Sequence, residues 1–123
     1  MIKRPNIDKE KTLHGLRAAP RASLGLFPTP IHELPRLSKH LGGPKIFVKR
    51  DDQTGLATGG NKTRKLEFLI GDAIAKQADL IMTAGAPQSN SCRQCEAAAA
   101  RLGIDMILGV GGSKENGAKF FAN

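Results

Sequence analysis

A regular alternation of strand and helix patterns limits the fold of this chain more than any other feature of its sequence. Three short runs rich in apolar and β-branched residues alternate with two amphipathic runs of helical period. In chain order, the predicted strands and helices occupy residues 45–50, 61–76, 78–84, 89–102 and 105–110. Strands that are separated by helices pair in parallel through right-handed crossovers. The alternation therefore predicts an α/β layer architecture with parallel strands.

The first third of the chain has a different character. Residues 1–30 are basic and are interrupted by four prolines, which predicts an extended arm and not a core element. Leucines then recur at helical spacing at positions 34, 37 and 41, before the Gly-Gly-Pro of residues 42–44. This pattern predicts a short helix that ends at the glycines.

The last residues carry no comparable pattern. We predict no strong element over residues 111–123, and three parallel strands alone would leave open edges. The sequence therefore indicates a piece of something larger. We divide it into an N-terminal arm with a short helix over residues 1–44 and a partial α/β region over residues 45–123.

The charge distribution argues against a nucleic-acid-binding protein, although the net charge of the 123 residues is +8. The first 50 residues contain 11 of the 19 Lys and Arg but only 3 of the 11 Asp and Glu. A segment in which basic residues are widely spaced is typical of a solvated surface, or of the entrance to a site that attracts an anionic ligand. Trp and Tyr are absent, so few side chains are available to stack on bases.

Membrane insertion and secretion are also disfavoured. No run approaches the ~20 apolar residues of a membrane span, and the N-terminus lacks the apolar region of a secretory signal. The sequence therefore predicts a soluble, cytoplasmic protein.

The two cysteines, Cys92 and Cys95, have the C-x-x-C spacing of redox and zinc sites. They fall within a predicted helix, there is no second cysteine pair, and the three histidines lie far upstream without ligand spacing. We therefore expect no metal site, and two ordinary helix residues in a reducing compartment.

Residues 59–62, Gly-Gly-Asn-Lys, are the first candidate for a functional site. The glycines allow the backbone to approach a ligand or to adopt positive φ, and Asn61 suits the N-cap of the following helix. Lys62 would lie in the first helical turn, where the helix dipole disfavours a cation and favours the neutral amine of a nucleophile. Lys65, one turn further on, is able to hold a phosphate. Lys62, Arg64 and Lys65 could equally be surface charge.

Residues 88–90, Gln-Ser-Asn, are the second candidate, at the start of the next predicted helix. Ser89 and Asn90 bring a hydroxyl, an amide and free backbone N–H groups, a set that suits a carboxylate or a phenolate oxygen. An ordinary helix cap is the alternative interpretation. Ligands of α/β sheets bind beyond the carboxyl ends of the strands, where both candidates are predicted to lie.

Three segments in this order resemble the family of D-cysteine desulfhydrase and 1-aminocyclopropane-1-carboxylate (ACC) deaminase. They are residues 49–52 (Lys-Arg-Asp-Asp), residues 59–69 (Gly-Gly-Asn-Lys-Thr-Arg-Lys-Leu-Glu-Phe-Leu) and residues 83–90 (Thr-Ala-Gly-Ala-Pro-Gln-Ser-Asn). Shorter matches occur at residues 28–30, 34–36 and 97–103. The resemblance covers roughly residues 24–110, and three ordered motifs are far more specific than any one of them.

The resemblance implies the tryptophan-synthase-β-like fold of pyridoxal 5'-phosphate enzymes (fold type II), with this chain as its N-terminal portion. It implies that Lys62 carries the cofactor as a Schiff base and later moves the substrate α-proton. Lys65 would contact the cofactor phosphate, Asn61 would belong to the cofactor-binding segment, and Asn90 would lie near the phenolic oxygen. Ser89 would bind the substrate carboxylate as a catalytic-site residue, with Gln88 and Asn90 beside it.

The resemblance implies a lyase or deaminase that acts on a small amino acid. D-cysteine desulfhydrase, which forms pyruvate, sulfide and ammonia, is the first expectation. ACC deaminase, which forms 2-oxobutanoate and ammonia, and a truncated non-catalytic remnant of either enzyme are the alternatives. A homodimer is implied for full-length members. The family's phosphate-cupping loop and substrate tyrosines are missing from this chain, and Ser91 stands where the desulfhydrase pattern often has His.

Overall fold

The computed structural model describes residues 7–111 and the backbone of residues 119–122. Four helices and five strands occur in this part of the chain. In order they are α1 (Lys9–Ala18), β1 (Ile31–Glu33), α2 (Pro35–Leu41), β2 (Phe47–Lys49), α3 (Lys62–Ala75), β3 (Leu80–Gly85), α4 (Asn90–Leu102), β4 (Asp105–Val110) and β5 (Lys119–Ala122).

The α/β prediction is confirmed for the second half of the chain. Helices α3 and α4 and strands β3 and β4 lie where the hydrophobic patterns placed them. Strands β3 and β4 are parallel, in a register that runs from Leu80 beside Asp105 to Gly85 beside Val110. Ser89 caps the start of α4, and Gly103 ends it in the left-handed conformation, as the local signals of the sequence indicate.

The predicted parallel pairing is wrong for β2. This strand pairs in antiparallel fashion with β1, in a separate two-stranded sheet that the sequence patterns did not indicate. The reason is that α2 and the turn after it reverse the chain direction between the two strands. The Leu34 N–H donates to the Ile46 carbonyl, and the Ile46 N–H donates to Ser38 Oγ. These bonds hold the end of β1 beside the start of β2, which favours an antiparallel pair.

The prediction of no element after residue 110 is also wrong for Lys119–Ala122. These residues form β5, which pairs in antiparallel fashion with β4. A four-residue strand gives little signal in composition, and it becomes a strand by pairing with the free edge of β4. The rest of the predicted unstructured end, residues 112–118 and 123, lies outside the described residues.

The prediction of an extended, non-core arm over residues 1–30 is wrong in two respects. Helix α1 lies within it, where no proline interrupts the chain and Asp8 Oδ1 accepts a hydrogen bond of 3.1 Å from the Lys11 N–H. Farther along, Ala22 and Leu24 are buried and belong to the core. The region therefore combines a surface helix, which buries no residue, with a segment that is packed against α3.

The hydrophobic core lies between helices α3 and α4 and the sheet of β3 and β4. Its buried members are Ala22, Leu24, Leu56, Leu66, Ile70, Cys95 and Ala98. Leu69 of α3 is 58% exposed and lines a groove between α3, β3 and α4. None of the described helices is both long and apolar enough to span a bilayer.

Candidate active site

Residues 51–63, which we call the Lys62 loop, form a tightly folded segment in which two glycines are required. Two 3-10 turns, Asp51–Gln53 and Leu56–Thr58, lead into Gly59 and Gly60. These glycines have φ angles of 80° and 137°, which L-residues with side chains rarely adopt. A Cβ atom on Gly59 would collide with the Asp52 carbonyl, and one on Gly60 would collide with the side chain of Gln94. The loop is therefore fixed by the close approach of its neighbours.

Three buried polar side chains surround this loop. Thr54, Thr63 and Gln94 are each 0% exposed. The Thr54 hydroxyl donates to the Gly60 carbonyl and accepts from the Gly60 N–H, both at 2.9 Å. The Thr63 hydroxyl donates to Gln94 Oε1 at 2.7 Å, and Gln94 Nε2 donates to the Gly59 carbonyl at 3.2 Å. We call these three side chains the threonine–glutamine network.

Helix α3 is capped from outside its own sequence. Asn61 occupies the position before the helix, as predicted, but its side chain makes no capping hydrogen bond. Its φ and ψ of −67° and −15° are helical, whereas a capping side chain requires an extended backbone. Instead, the Thr63 N–H donates to Gln94 Oε1 at 2.9 Å. A side chain of α4 thus satisfies one of the free N–H groups at the start of α3.

Lys62 and Lys65 lie in the first two turns of α3, on the helix that this network anchors. Lys62 is half-buried and Lys65 is exposed. The ion pairs found among the described residues involve neither lysine. Both amines are therefore positioned on a fixed helix end without a carboxylate partner in this part of the structure.

The second candidate segment begins where β3 ends. Ser89 Oγ accepts a hydrogen bond of 3.3 Å from the Cys92 N–H, and so acts as the N-cap of α4. Asn90, the first residue of α4, is exposed, and its Oδ1 accepts from Arg93 Nη2 at 2.9 Å. Gln88 is exposed in the turn before the helix. The cap interpretation of Ser89 is thus realised, and the amide nitrogen of Asn90 remains as a donor.

Arg93 joins the two candidate segments. Besides Asn90, its guanidinium donates to Thr58 Oγ1 at 2.6 Å, next to the glycines that precede Lys62. Together with Gln94, it ties the first turns of α4 to the Lys62 loop. The structure therefore brings the Lys62 loop and the Asn90 helix start together, although β2, the strand before the Lys62 loop, lies in a different sheet from β3.

Lys65, one turn after Lys62, also borders a groove. A groove of about 250 Å³ lies between α3, β3 and α4, and its lining includes Lys65, Leu69, Met82 and Ser91. Neither Lys62 nor Asn90 is part of that lining. Within the described residues, the two lysines are thus neighbours on one helix but do not share this groove.

An ionic cluster, which the sequence analysis did not identify, holds residues 21–29 against α3. The buried Glu67 accepts hydrogen bonds from the N–H groups of Leu24 and Gly25 at 3.0 and 3.1 Å and pairs with Arg21. Burial raises the pKa of Glu67, but these donors outweigh it and leave the pKa below its ordinary value. Glu67 is therefore a structural carboxylate.

The second half of the ionic cluster is a bidentate pair. Arg64 donates to both carboxylate oxygens of Asp51 at 2.7 Å and stacks over the Phe27 ring at 4.7 Å. The hydrogen bond from Arg64 is the main cause that lowers the pKa of Asp51 to about 2, against the opposing effect of burial. Thr29 adds a further hydrogen bond of 2.7 Å. Arg64, considered above as surface charge, is therefore part of the fold.

The cysteines are structural in this part of the chain. Cys92 and Cys95 are both free and buried on α4. Burial raises the pKa of the Cys95 thiol, and Cys92 adds to the effect, so its reactive thiolate is disfavoured.

Gln94 was missed because its environment is not visible in the sequence. The one signal is its position one turn before Ala98, on the small-residue stripe of α4 that the structure buries. A polar side chain on such a stripe requires hydrogen-bond partners. The partners themselves come from the Lys62 loop, 31 and 35 positions away.

Comparison with known proteins gives a consistent result. The sequence model of the family described as "Pyridoxal-phosphate dependent enzyme" matches residues 22–119. A D-cysteine desulfhydrase of Klebsiella pneumoniae is 55% identical over 96 residues, which are 78% of this chain and 29% of that protein. A D-cysteine desulfhydrase of Salmonella paratyphi B is 54% identical over 95 residues, which are 77% of this chain and 29% of that protein.

A solved structure described as an ACC deaminase homologue superposes with a TM-score of 0.77 at 45% sequence identity. The superposition covers 85% of this chain and 32% of that structure. The likeness confirms the predicted tryptophan-synthase-β-like fold. The matched regions cover less than a third of the length of these relatives.

Proposed function

Because the chain belongs to the family of pyridoxal-phosphate-dependent enzymes, we propose that Lys62 is the residue that carries pyridoxal 5'-phosphate. The observation that supports this role most strongly is the construction of the loop before it. Two glycines with positive φ and the buried threonine–glutamine network fix the start of α3. Such rigid support is what an amine nucleophile requires for a reproducible orientation.

The chemistry of the residues present fits the cofactor, which has an aldehyde, a phosphate and a phenolic oxygen. Lys62 supplies a primary amine for the aldehyde. Lys65 supplies a cation for the phosphate, and Asn61 belongs to the same cofactor-binding segment. Asn90 offers the amide nitrogen that Arg93 leaves unused, a donor suited to the phenolic oxygen.

The cofactor, when bound, supplies the electron sink for reactions at the substrate α-carbon. The chain's own residues would orient the reactants and move protons. For a substrate that has an α-proton, Lys62 Nζ would accept that proton and pass it on to a leaving or product group. Ser89, with Gln88 and Asn90 beside it, would bind the substrate carboxylate at the N-terminus of α4, where the helix dipole favours an anion.

The substrate that we propose is D-cysteine, with pyruvate, sulfide and ammonia as products. The support is the 54–55% identity to D-cysteine desulfhydrases across the segments that contain Lys62 and Asn90. ACC is the second candidate, with 2-oxobutanoate and ammonia as products. It is favoured by the structural likeness to the ACC deaminase homologue.

The two substrates are distinguished by their products. The 123-residue chain would be incubated with pyridoxal phosphate and either D-cysteine or ACC, and sulfide, pyruvate and 2-oxobutanoate would be measured. The proposal predicts sulfide and pyruvate from D-cysteine, and neither from the Lys62→Ala variant. Formation of 2-oxobutanoate alone would favour the second candidate, and no product from either would favour a non-catalytic remnant.

A further inference from the structure

Gln94 contacts the backbone on both sides of Lys62. It lies on α4 and is fully buried. Its Oε1 accepts from the Thr63 N–H, one position after Lys62, and its Nε2 donates to the Gly59 carbonyl, three positions before it. The side chain also fills the space where Gly60 would carry a Cβ atom. One side chain thus fixes the segment from which Lys62 projects.

The choice of an amide at this position has a chemical reason. Only a group with both an acceptor and a donor is able to hold an N–H group and a carbonyl at once. A carboxylate would hold the N–H but repel the carbonyl. An apolar side chain would leave the Thr63 N–H with only the Gly60 carbonyl at 3.4 Å, and the Gly59 carbonyl with only Arg93 Nη2 at 3.5 Å. The amide is also neutral, so it holds the loop without adding a buried charge to it.

We propose that Gln94 is a positioning residue for Lys62, which fixes the direction in which the amine is presented to a carbonyl compound. The inference rests on the proposed role of Lys62. It adds that the reactivity of Lys62 depends on α4, and not only on the α3 sequence that carries the lysine.

The experiment measures the reaction of individual lysines with pyridoxal phosphate. The 123-residue chain is mixed with the compound, reduced with borohydride at a series of times, and digested, and the modified lysines are quantified by mass spectrometry. Lys45, whose side chain is 74% exposed, serves as the internal reference. The proposal predicts that Lys62 reacts faster than Lys45 in the wild-type chain.

The decisive variant is Gln94→Met, which keeps a long side chain and removes both hydrogen-bonding groups. We expect the Lys62 rate to fall about tenfold, the factor that corresponds to one well-formed hydrogen bond, while the Lys45 rate is unchanged. Amide hydrogen exchange at Thr63 should accelerate in the same variant, which gives a readout that needs no cofactor.

Two further variants separate positioning from general destabilisation. Gln94→Glu keeps the acceptor for Thr63 and loses the donor for Gly59, so Thr63 should stay protected while the Lys62 rate still falls. Ile70→Ala creates a cavity two turns away on α3, where Ile70 is 2% exposed. It should destabilise the chain but leave the ratio of the Lys62 and Lys45 rates unchanged.

Each result supports or overturns the inference. A wild-type Lys62 rate in Gln94→Met would overturn it, and so would loss of folding in both Gln94 variants while Ile70→Ala folds. A wild-type chain in which Lys62 reacts no faster than Lys45 would instead contradict the proposed function, and with it the premise of the inference.

Discussion

The ionic cluster and the threonine–glutamine network both hold helix α3, but with opposite chemistry. The ionic cluster binds residues 21–29 through Glu67 and Asp51 and their arginine partners, whose side chains are 51% and 42% exposed. The threonine–glutamine network binds the Lys62 loop through neutral groups that are completely buried. One contact region of the helix is therefore charged and partly in water, and the other is neutral and dry.

The difference suggests a division of roles. Charged hydrogen bonds are individually stronger than neutral ones, but they respond to pH and salt. A network of neutral side chains does not change its charge near neutral pH. The ionic cluster is thus suited to stability, and the neutral network to constant geometry around Lys62.

The largest expected effect is that of Glu67→Ala. This change leaves the Leu24 and Gly25 N–H groups without their carboxylate acceptor and Arg21 without its partner. We expect the free energy of unfolding to fall by about 3–6 kcal/mol, because two N–H groups each lose a hydrogen bond to a charged group of about 1.5–3 kcal/mol. Chemical denaturation would measure this. Glu96→Ala, at an exposed position of α4, is the control. A loss of stability as small as that of Glu96→Ala would show that the ionic cluster does not stabilise the fold.

Acid should weaken the ionic cluster and spare the neutral network. The pKa of Asp51 is about 2 in the folded chain against an ordinary 3.8, and that of Glu67 is also lowered. A lowered carboxylate pKa contributes stability that is present above the ordinary pKa and is lost as the pH falls towards the folded value. For Asp51 we expect a loss of about 1–2 kcal/mol, reduced from the full shift because water screens the exposed Arg64.

The acid prediction is checked by denaturation curves between about pH 5 and about pH 2. Asp51→Asn should reduce the dependence of stability on pH over this interval, because its side chain no longer titrates. If Asp51→Asn has the same pH dependence as the wild-type chain, Asp51 is not the source of the acid sensitivity.

Thr63→Val should have a smaller effect on stability. It removes the hydroxyl that donates to Gln94 Oε1 but retains the shape of the side chain and the Thr63 backbone bond. We expect a loss of about 1 kcal/mol, equal at about pH 4 and about pH 7 because no group of the network titrates there. Thr63→Ser, which keeps the hydroxyl, is the matched variant. A loss that changed with pH would contradict the distinction between the two regions.

The smallest effect is expected for Asp72→Asn. Asp72 pairs with Lys76 at 2.7 Å on the surface of α3, where both side chains are more than half exposed. Such pairs contribute about 0.3–0.5 kcal/mol and less at high salt. Thermal melts with and without added salt would test this. A loss of stability as large as that of Glu67→Ala would mean that exposed charge on α3 matters as much as the ionic cluster.

The sequence predicted those elements whose signals are local. Helix α4 carries its own start and stop signals in Ser89 and Gly103, and the parallel pairing of β3 with β4 follows from a repeated strand–helix pattern. The antiparallel pair of β1 and β2 depends on how the chain returns around α2. A three-residue strand is too short for its hydrophobic pattern to indicate how it pairs.

The candidate site divides in the same way. Lys62 and Asn90 could be identified from the sequence, because loop glycines and helix starts have local sequence signals. The residues that hold the surrounding backbone could not, since Gln94 and Glu67 bind partners 31 to 46 positions away. The roles predicted for Lys62, Lys65, Asn61, Gln88, Ser89 and Asn90 stay predictions.

The proposed role of Lys62 as the cofactor lysine can be examined with an absorbance spectrum. The wild-type chain, Lys62→Ala and Lys65→Ala would each be mixed with pyridoxal phosphate and dialysed. We predict that the wild-type chain retains the visible band of the lysine-bound cofactor, that Lys65→Ala retains it more weakly, and that Lys62→Ala loses it. An equal band in Lys62→Ala and the wild-type chain would show that Lys62 is not the cofactor lysine.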